Sequence, residues 1–121
     1  MSEDAMRGRA AFGYLVLARD DRRLAGEAEE RTLYRLSNIA DEQGRIKAIN
    51  QARLASARFL AEHPEQAVED GNKALGMAEH VMSAIVRATL RELLADSETY
   101  ADIPSVVEFR DRLRATIARL N

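Results

Sequence analysis

The chain has 121 residues, a formal net charge of −2, 46% apolar and 31% charged residues, and no cysteine. One domain with a real core is expected at this length, and the apolar content excludes a disordered chain. The near-neutral balance draws in neither nucleic acid nor an anionic membrane surface, and the missing cysteines exclude disulfides and thiolate metal sites. No apolar run approaches the roughly 20 residues of a membrane span, and the start MSEDAMRGR lacks the apolar core of a signal peptide, so a cytoplasmic protein is expected.

Periodicity predicts six helices and no strands. Over residues 3–19, Met6, Ala10, Gly13 and Leu17 form one apolar row and Ala11, Phe12, Leu15 and Val16 another, which predicts a helix flanked on two sides. The polar break Asp20-Asp21-Arg22-Arg23 precedes a second helix over residues 24–42, with Ala25, Ala28, Thr32, Leu36 and Ile39 on its stripe and Gly44 as its stop. A third helix is expected over residues 45–62. The turn Glu62-His63-Pro64-Glu65 follows, with Pro64 suited to the first position of a fourth helix over residues 64–82. Ser83 is the expected N-cap of a fifth, carrying Ile85, Val86, Leu90, Leu93 and Leu94 as far as residue 97. Ser105-Val106-Val107-Glu108 has the spacing of a capping box for the last helix, which buries Phe109, Leu113, Ile117 and Leu120.

Residues 48–81, AINQARLASARFLAEHPEQAVEDGNKALGMAEHV, place short side chains where two helices must touch: Leu54-Ala55 in one, Ala67 and Ala74-Leu75 in the next. Those positions resemble a tetratricopeptide repeat, although alanine-rich hairpins of other families share the pattern. Ala25 and Ala67 lie 42 residues apart, and the same offset sets Phe12-Gly13 opposite Leu54-Ala55 and Thr32-Leu33 opposite Ala74-Leu75. The expectation is an all-α domain of six antiparallel helices. They stack as three helical hairpins, about residues 3–42, 45–82 and 83–120, in a tetratricopeptide-like right-handed solenoid whose last hairpin acts as a cap.

A closer resemblance rests on Arg45, Gly71, Ala74-Leu75, Ser83, and Pro104 to Val107. These match, in order, an arginine opening a hairpin, the glycine and alanine-leucine pair of its second helix, a serine starting the next helix and a proline-valine segment introducing the last. In this respect residues 24–120 resemble the C-terminal repeat region of actinobacterial Xre-type helix-turn-helix transcriptional regulators. The sixteen arginines against two lysines agree with a GC-rich bacterial genome. The family's DNA-binding domain precedes its repeats, and no residue here corresponds to it. Direct nucleic-acid contact is therefore not expected of this chain, which is expected to be a fragment or a small free-standing relative.

The resemblance implies a partner-binding groove lined by first helices, falling on Arg7, Ala10, Tyr14 and Leu17 in the first repeat and on Ile49, Ala52, Ser56 and Phe59 in the second. That mostly apolar surface suits a protein or peptide partner, such as an amphipathic helix. The lysine-asparagine clamp of chaperone-binding relatives is unmatched at Ala52 and Ser56. The expected function is a non-catalytic binding scaffold, the sensor or interaction module of a regulator. The alternative is a structural homodimerisation domain, since so short an array leaves apolar surface at its ends. No cofactor and no metal are expected: His63 and His80 stand 17 residues apart, and Gly8 to Gly13 lacks the lysine and hydroxyl of a phosphate loop. Glu29-Glu30 and Asp20-Asp21 lie among arginines as solvated charges. Arg110, Arg112, Arg114 and Arg119 alternate with Glu108 and Asp111.

Overall fold

A computed structural model of the chain describes residues 3–119, with side chains from Ala10 onward. Among these residues there are six α-helices and no strand: α1 (Glu3–Asp20), α2 (Ala25–Ser37), α3 (Gly44–Leu60), α4 (Pro64–Ala78), α5 (Ala84–Asp96) and α6 (Pro104–Arg119). Short 3-10 turns at Arg22–Leu24 and Glu98–Tyr100 complete the chain. The predicted positions Met6, Arg7, Gly8 and Leu120 fall outside the residues whose side chains are described.

Helix ends follow local chemistry, with several departures from expectation. Ser83 caps α5, its Oγ accepting from the Val86 N–H at 3.2 Å, and Pro64 occupies the first turn of α4. α2 stops at Ser37 and not at residue 42. Ser37 Oγ donates to the Leu33 carbonyl and Asn38 Nδ2 to the Tyr34 carbonyl at 2.8 Å, so side chains satisfy the last carbonyls and Gly44 opens α3 instead. α4 likewise ends at Ala78, short of residue 82. The capping box at Ser105 is not used, because α6 begins one residue earlier at Pro104, whose fixed φ is preorganised for a first turn. α3 ends in a Schellman motif: the His63 N–H donates to the Arg58 carbonyl at 2.8 Å and the Glu62 N–H to the Phe59 carbonyl at 3.2 Å. Glu62 therefore sits at φ 67°, a left-handed position that a glycine would occupy without strain.

α3 is the centre of the molecule. It packs against α4, α2, α5 and α1, which explains why it is buried around most of its circumference rather than along one stripe. One face joins Leu15, Ala18, Ala25 and Ala28 through Ala57 and Leu60, and the other joins α4, α5 and α6 in a larger core. α4 also packs on α6. In the larger core Phe59 stacks with Phe109 and with Tyr100, ring centroids 6.2 Å apart in both pairs. The short residues act largely as expected: Ala25, Ala55, Ala67 and Ala74 are buried where helices meet. Gly13 is different, since a Cβ built there meets nothing within 4 Å, so no helix approaches it closely. The pairing of Thr32-Leu33 with Ala74-Leu75 also breaks down, because Leu33 is exposed while Leu75 is buried.

A part-buried polar junction fixes the α2, α3 and α4 register. Arg58 Nη1 donates to Glu29 Oε2 at 3.0 Å and Arg58 Nε to Asp70 Oδ2 at 3.2 Å, while Gln51 Nε2 donates to the other Asp70 oxygen. Burial works against the Arg58 charge, and the hydrogen bonds to the two carboxylates outweigh it, leaving its pKa above the ordinary value. His63 Nδ1 lies 2.8 Å from the same Glu29 oxygen.

Candidate functional site

The sequence-predicted groove residues do not line one surface. Phe59 is 0% exposed and belongs to the aromatic core, and Ser56 and Ala52 are also buried, so none of the three is open to a partner. Tyr14 is half-buried and lies against α2, with the Arg31 guanidinium 4.5 Å from its ring centroid. Leu17 is 56% exposed. Ile49 borders an open pocket, and the Arg7 side chain is not among those described.

The α3 residues that line an open pocket are Ile46, Ile49, Asn50 and Arg53; Ile46 is exposed and Arg53 half-buried, while Ile49 and Asn50 are largely covered. A step of one residue turns a helix by about 100°, which carries Arg53 away from the buried Ala52. The matching row on α1 is Phe12, Val16 and Arg19. The Arg53 guanidinium stacks over the Phe12 ring at 4.0 Å from its centroid. Arg19 grips Asp96 of α5 with a fork of two bonds, Nε to Oδ1 at 3.1 Å and Nη2 to Oδ2 at 3.0 Å, and stands 3.7 Å from Glu92. α1 and α5 are thereby tied together over α3. Burial opposes the Arg19 charge, but Asp96 and then Glu92 raise its pKa on balance.

Toward the start of α3 the surface opens into a pocket of about 210 Å³ lined by Arg35, Ile46, Ile49, Asn50, Arg53 and Ile85. Its polar groups are unevenly satisfied. Asn50 Nδ2 donates to the Ile46 carbonyl at 2.9 Å, within its own helix. The Arg53 Nε is buried and has no acceptor, and burial depresses the Arg53 pKa while Glu92 raises it and Arg19 lowers it. Arg35 makes no ion pair with any described residue.

The arginines of α6 are occupied. Arg110 donates to the Leu94 carbonyl and Ser97 Oγ, Arg112 to Asn72, and Arg119 to Glu79, while Arg114 pairs with Asp111. Gly8 to Gly13 lies inside α1 and forms no loop. Among the described residues no group of three His, Asp or Glu side chains is placed to hold a metal ion, and no helix is long and apolar enough to cross a membrane. Compared with family models, curated proteins and solved structures, the chain matches none.

Sequence reasoning missed Arg35, Ile46, Arg53 and Ile85. A usable signal existed for Arg53, a long cation at mid-helix between Ala52 and Leu54 in an otherwise apolar stretch. Such a residue must either leave the core sideways or find a ring to lie on, and Phe12 supplies the ring.

Proposed function

We propose that this chain is a non-catalytic helical-repeat scaffold, three tetratricopeptide-like hairpins in a right-handed stack, which holds a protein or peptide segment on the face formed by α1, α3 and α5. What supports the reading is the packing order: α3 touches its sequence neighbours α2 and α4 and also α1 and α5, and α4 touches α6. Stacked hairpins set first helices beside first helices, as α1, α3 and α5 lie here, and second beside second, as α4 and α6 do. On the sequence resemblance to the repeat region of Xre-type regulators, the scaffold would serve as the sensor or interaction module of a bacterial transcriptional regulator. Selecting displayed peptides on the immobilised chain tests this. Binders should anchor an apolar side chain on the Ile46 and Ile85 rim, lose affinity with Ile85→Asp, and keep it with Leu33→Asp on the other side. Failure to enrich any peptide, or binders indifferent to Ile85→Asp, would refute it.

A second reading, homodimerisation without a ligand, is favoured by the apolar exposure of the first two helices. Val16 and Leu17 on α1 and Leu33 and Tyr34 on α2 are all exposed, Tyr34 at 52%. Sedimentation equilibrium decides it: a dimer that Leu17→Glu with Leu33→Glu converts to monomer supports this reading, and a wild-type monomer at all concentrations removes it.

A further inference from the structure

We propose that the pocket between α2, α3 and α5 binds a small aliphatic monocarboxylate, its carboxylate on the Arg53 and Arg35 guanidinium groups and its hydrocarbon tail on Ile46, Ile49 and Ile85. The proposal rests on reading this face as a binding surface, but it assigns a different occupant chemistry from a peptide backbone. Three observations carry it. First, Arg53 is held in place by the Phe12 ring rather than by an acceptor, and its Nε is buried with no hydrogen bond. A guanidinium fork fixed in position and short of acceptors is a preorganised seat for a carboxylate.

Second, no carboxylate closes on these two arginines. Asp96 takes the fork of Arg19, and Glu92, 3.7 Å from Arg19, acts on Arg53 only through space, so Arg35 and Arg53 have no hydrogen-bonded acid among the described residues. The pocket lining itself holds two arginines and no acid, although the whole chain carries −2. Third, the remaining wall is three isoleucines and Asn50, whose amide is turned to the Ile46 carbonyl, with Ile85 at 53% exposure and Ile46 also exposed. A cationic end beside a branched apolar wall complements a molecule with one acid and one aliphatic end. A phosphate or sulfate would leave the isoleucines uncovered, and a long chain exceeds a pocket of about 210 Å³.

The test is titration of the whole chain with hexanoate, followed by backbone amide NMR. Saturable shifts are expected at Ile46, Ile49, Asn50 and Ile85, with acetate and hexanol each at least tenfold weaker because each lacks one half of the match. Arg53→Gln should weaken hexanoate at least tenfold. In case that change disturbs the fold, Ile85→Glu provides a second arm, since it replaces an exposed wall isoleucine by a carboxylate and should weaken hexanoate by a similar factor with the helical circular dichroism intact. No shifts with hexanoate, shifts confined to another surface, or hexanol binding as tightly as hexanoate would overturn the proposal. If hexanoate fails while Ile85→Asp still abolishes peptide binding, the carboxylate site falls and the scaffold reading stands. If hexanoate binds and no peptide does, the reverse holds.

Discussion

Gly71 is the position where a single methyl group tests the packing most sharply. A Cβ built there falls 2.4 Å from Cζ of Phe109 and 2.6 Å from its Cε1, well inside contact distance. The ring has nowhere to withdraw, because Phe109 is buried and stacked on Phe59, itself buried against Tyr100. Overpacking of this kind destabilises by about 1–3 kcal/mol, while alanine in place of glycine in a helix returns about 0.8–1 kcal/mol. Gly71→Ala is therefore expected to lose up to about 2 kcal/mol net, a fall in Tm of up to roughly 10 °C for a domain of this size. Gly76 lies on the same helix, and a Cβ there meets nothing within 4 Å. Gly76→Ala should gain about 0.5–1 kcal/mol, since only the propensity effect remains. Urea denaturation followed by circular dichroism measures both variants. Equal shifts of the same sign would show that α6 does not cross α4 with Phe109 over Gly71. Recovery in the double variant Gly71→Ala with Phe109→Leu, read as a coupling energy, would tie the loss to that ring.

Four further outcomes follow from the same geometry. Phe59→Ala should destabilise by about 3–5 kcal/mol in chemical denaturation, because it empties a closed aromatic core; a folded variant that merely loses a ligand would contradict the burial. Arg58→Met strands Glu29 and Asp70 at 13% exposure, so a loss of about 3 kcal/mol at neutral pH is expected by the same assay, partly regained when Glu29→Gln and Asp70→Asn are added. Glu62→Gly should stabilise by about 1 kcal/mol, since the residue already holds a left-handed φ of 67°; no gain in Tm would argue against the Schellman ending of α3. Asp21 accepts from the Arg23 side chain and from its N–H, which holds its carboxyl below the usual value. Its contribution should be complete above the unfolded-state pKa and disappear as pH falls through the lower folded one, so the stability gap to Asp21→Asn should close on acidification.

The helix content and most helix starts could be read from the sequence because their causes are local. Pro64 can only stand at a first turn, Ser83 offers its hydroxyl two residues before an apolar row, and alanines at 25, 55 and 67 allow close approach wherever a helix arrives. Helix ends were less legible because alternatives lie near one another in sequence: Asn38 satisfied the carbonyls of α2 before Gly44 was reached. The Gly13 position shows the same limit from another side. A small residue permits contact but does not compel it, and at Gly13 no neighbour came.

The groove failed for a reason that decides how such helices should be read. An amphipathic helix declares its open face through polarity, but α3 buries polar residues such as Asn50, Gln51 and Ser56 beside apolar ones, so the rows 49, 52, 56, 59 and 46, 49, 50, 53 are equally plausible from periodicity alone. What separates them is which row meets α4 and the aromatic cluster and which is left between α1 and α5, and that depends on helices remote in sequence. Charge offered the one discriminating clue. The two arginines of α3's second half take opposite solutions: Arg58 leaves the apolar interior by pairing with Glu29 and Asp70 toward α2 and α4, whereas Arg53, five residues earlier, lies on Phe12 with its Nε unmet. A helix rotates about 500° over five residues, so the two side chains point roughly 140° apart, and the arginine with carboxylate partners marks the structural side. The arginine without them marks the side left for something else to complete.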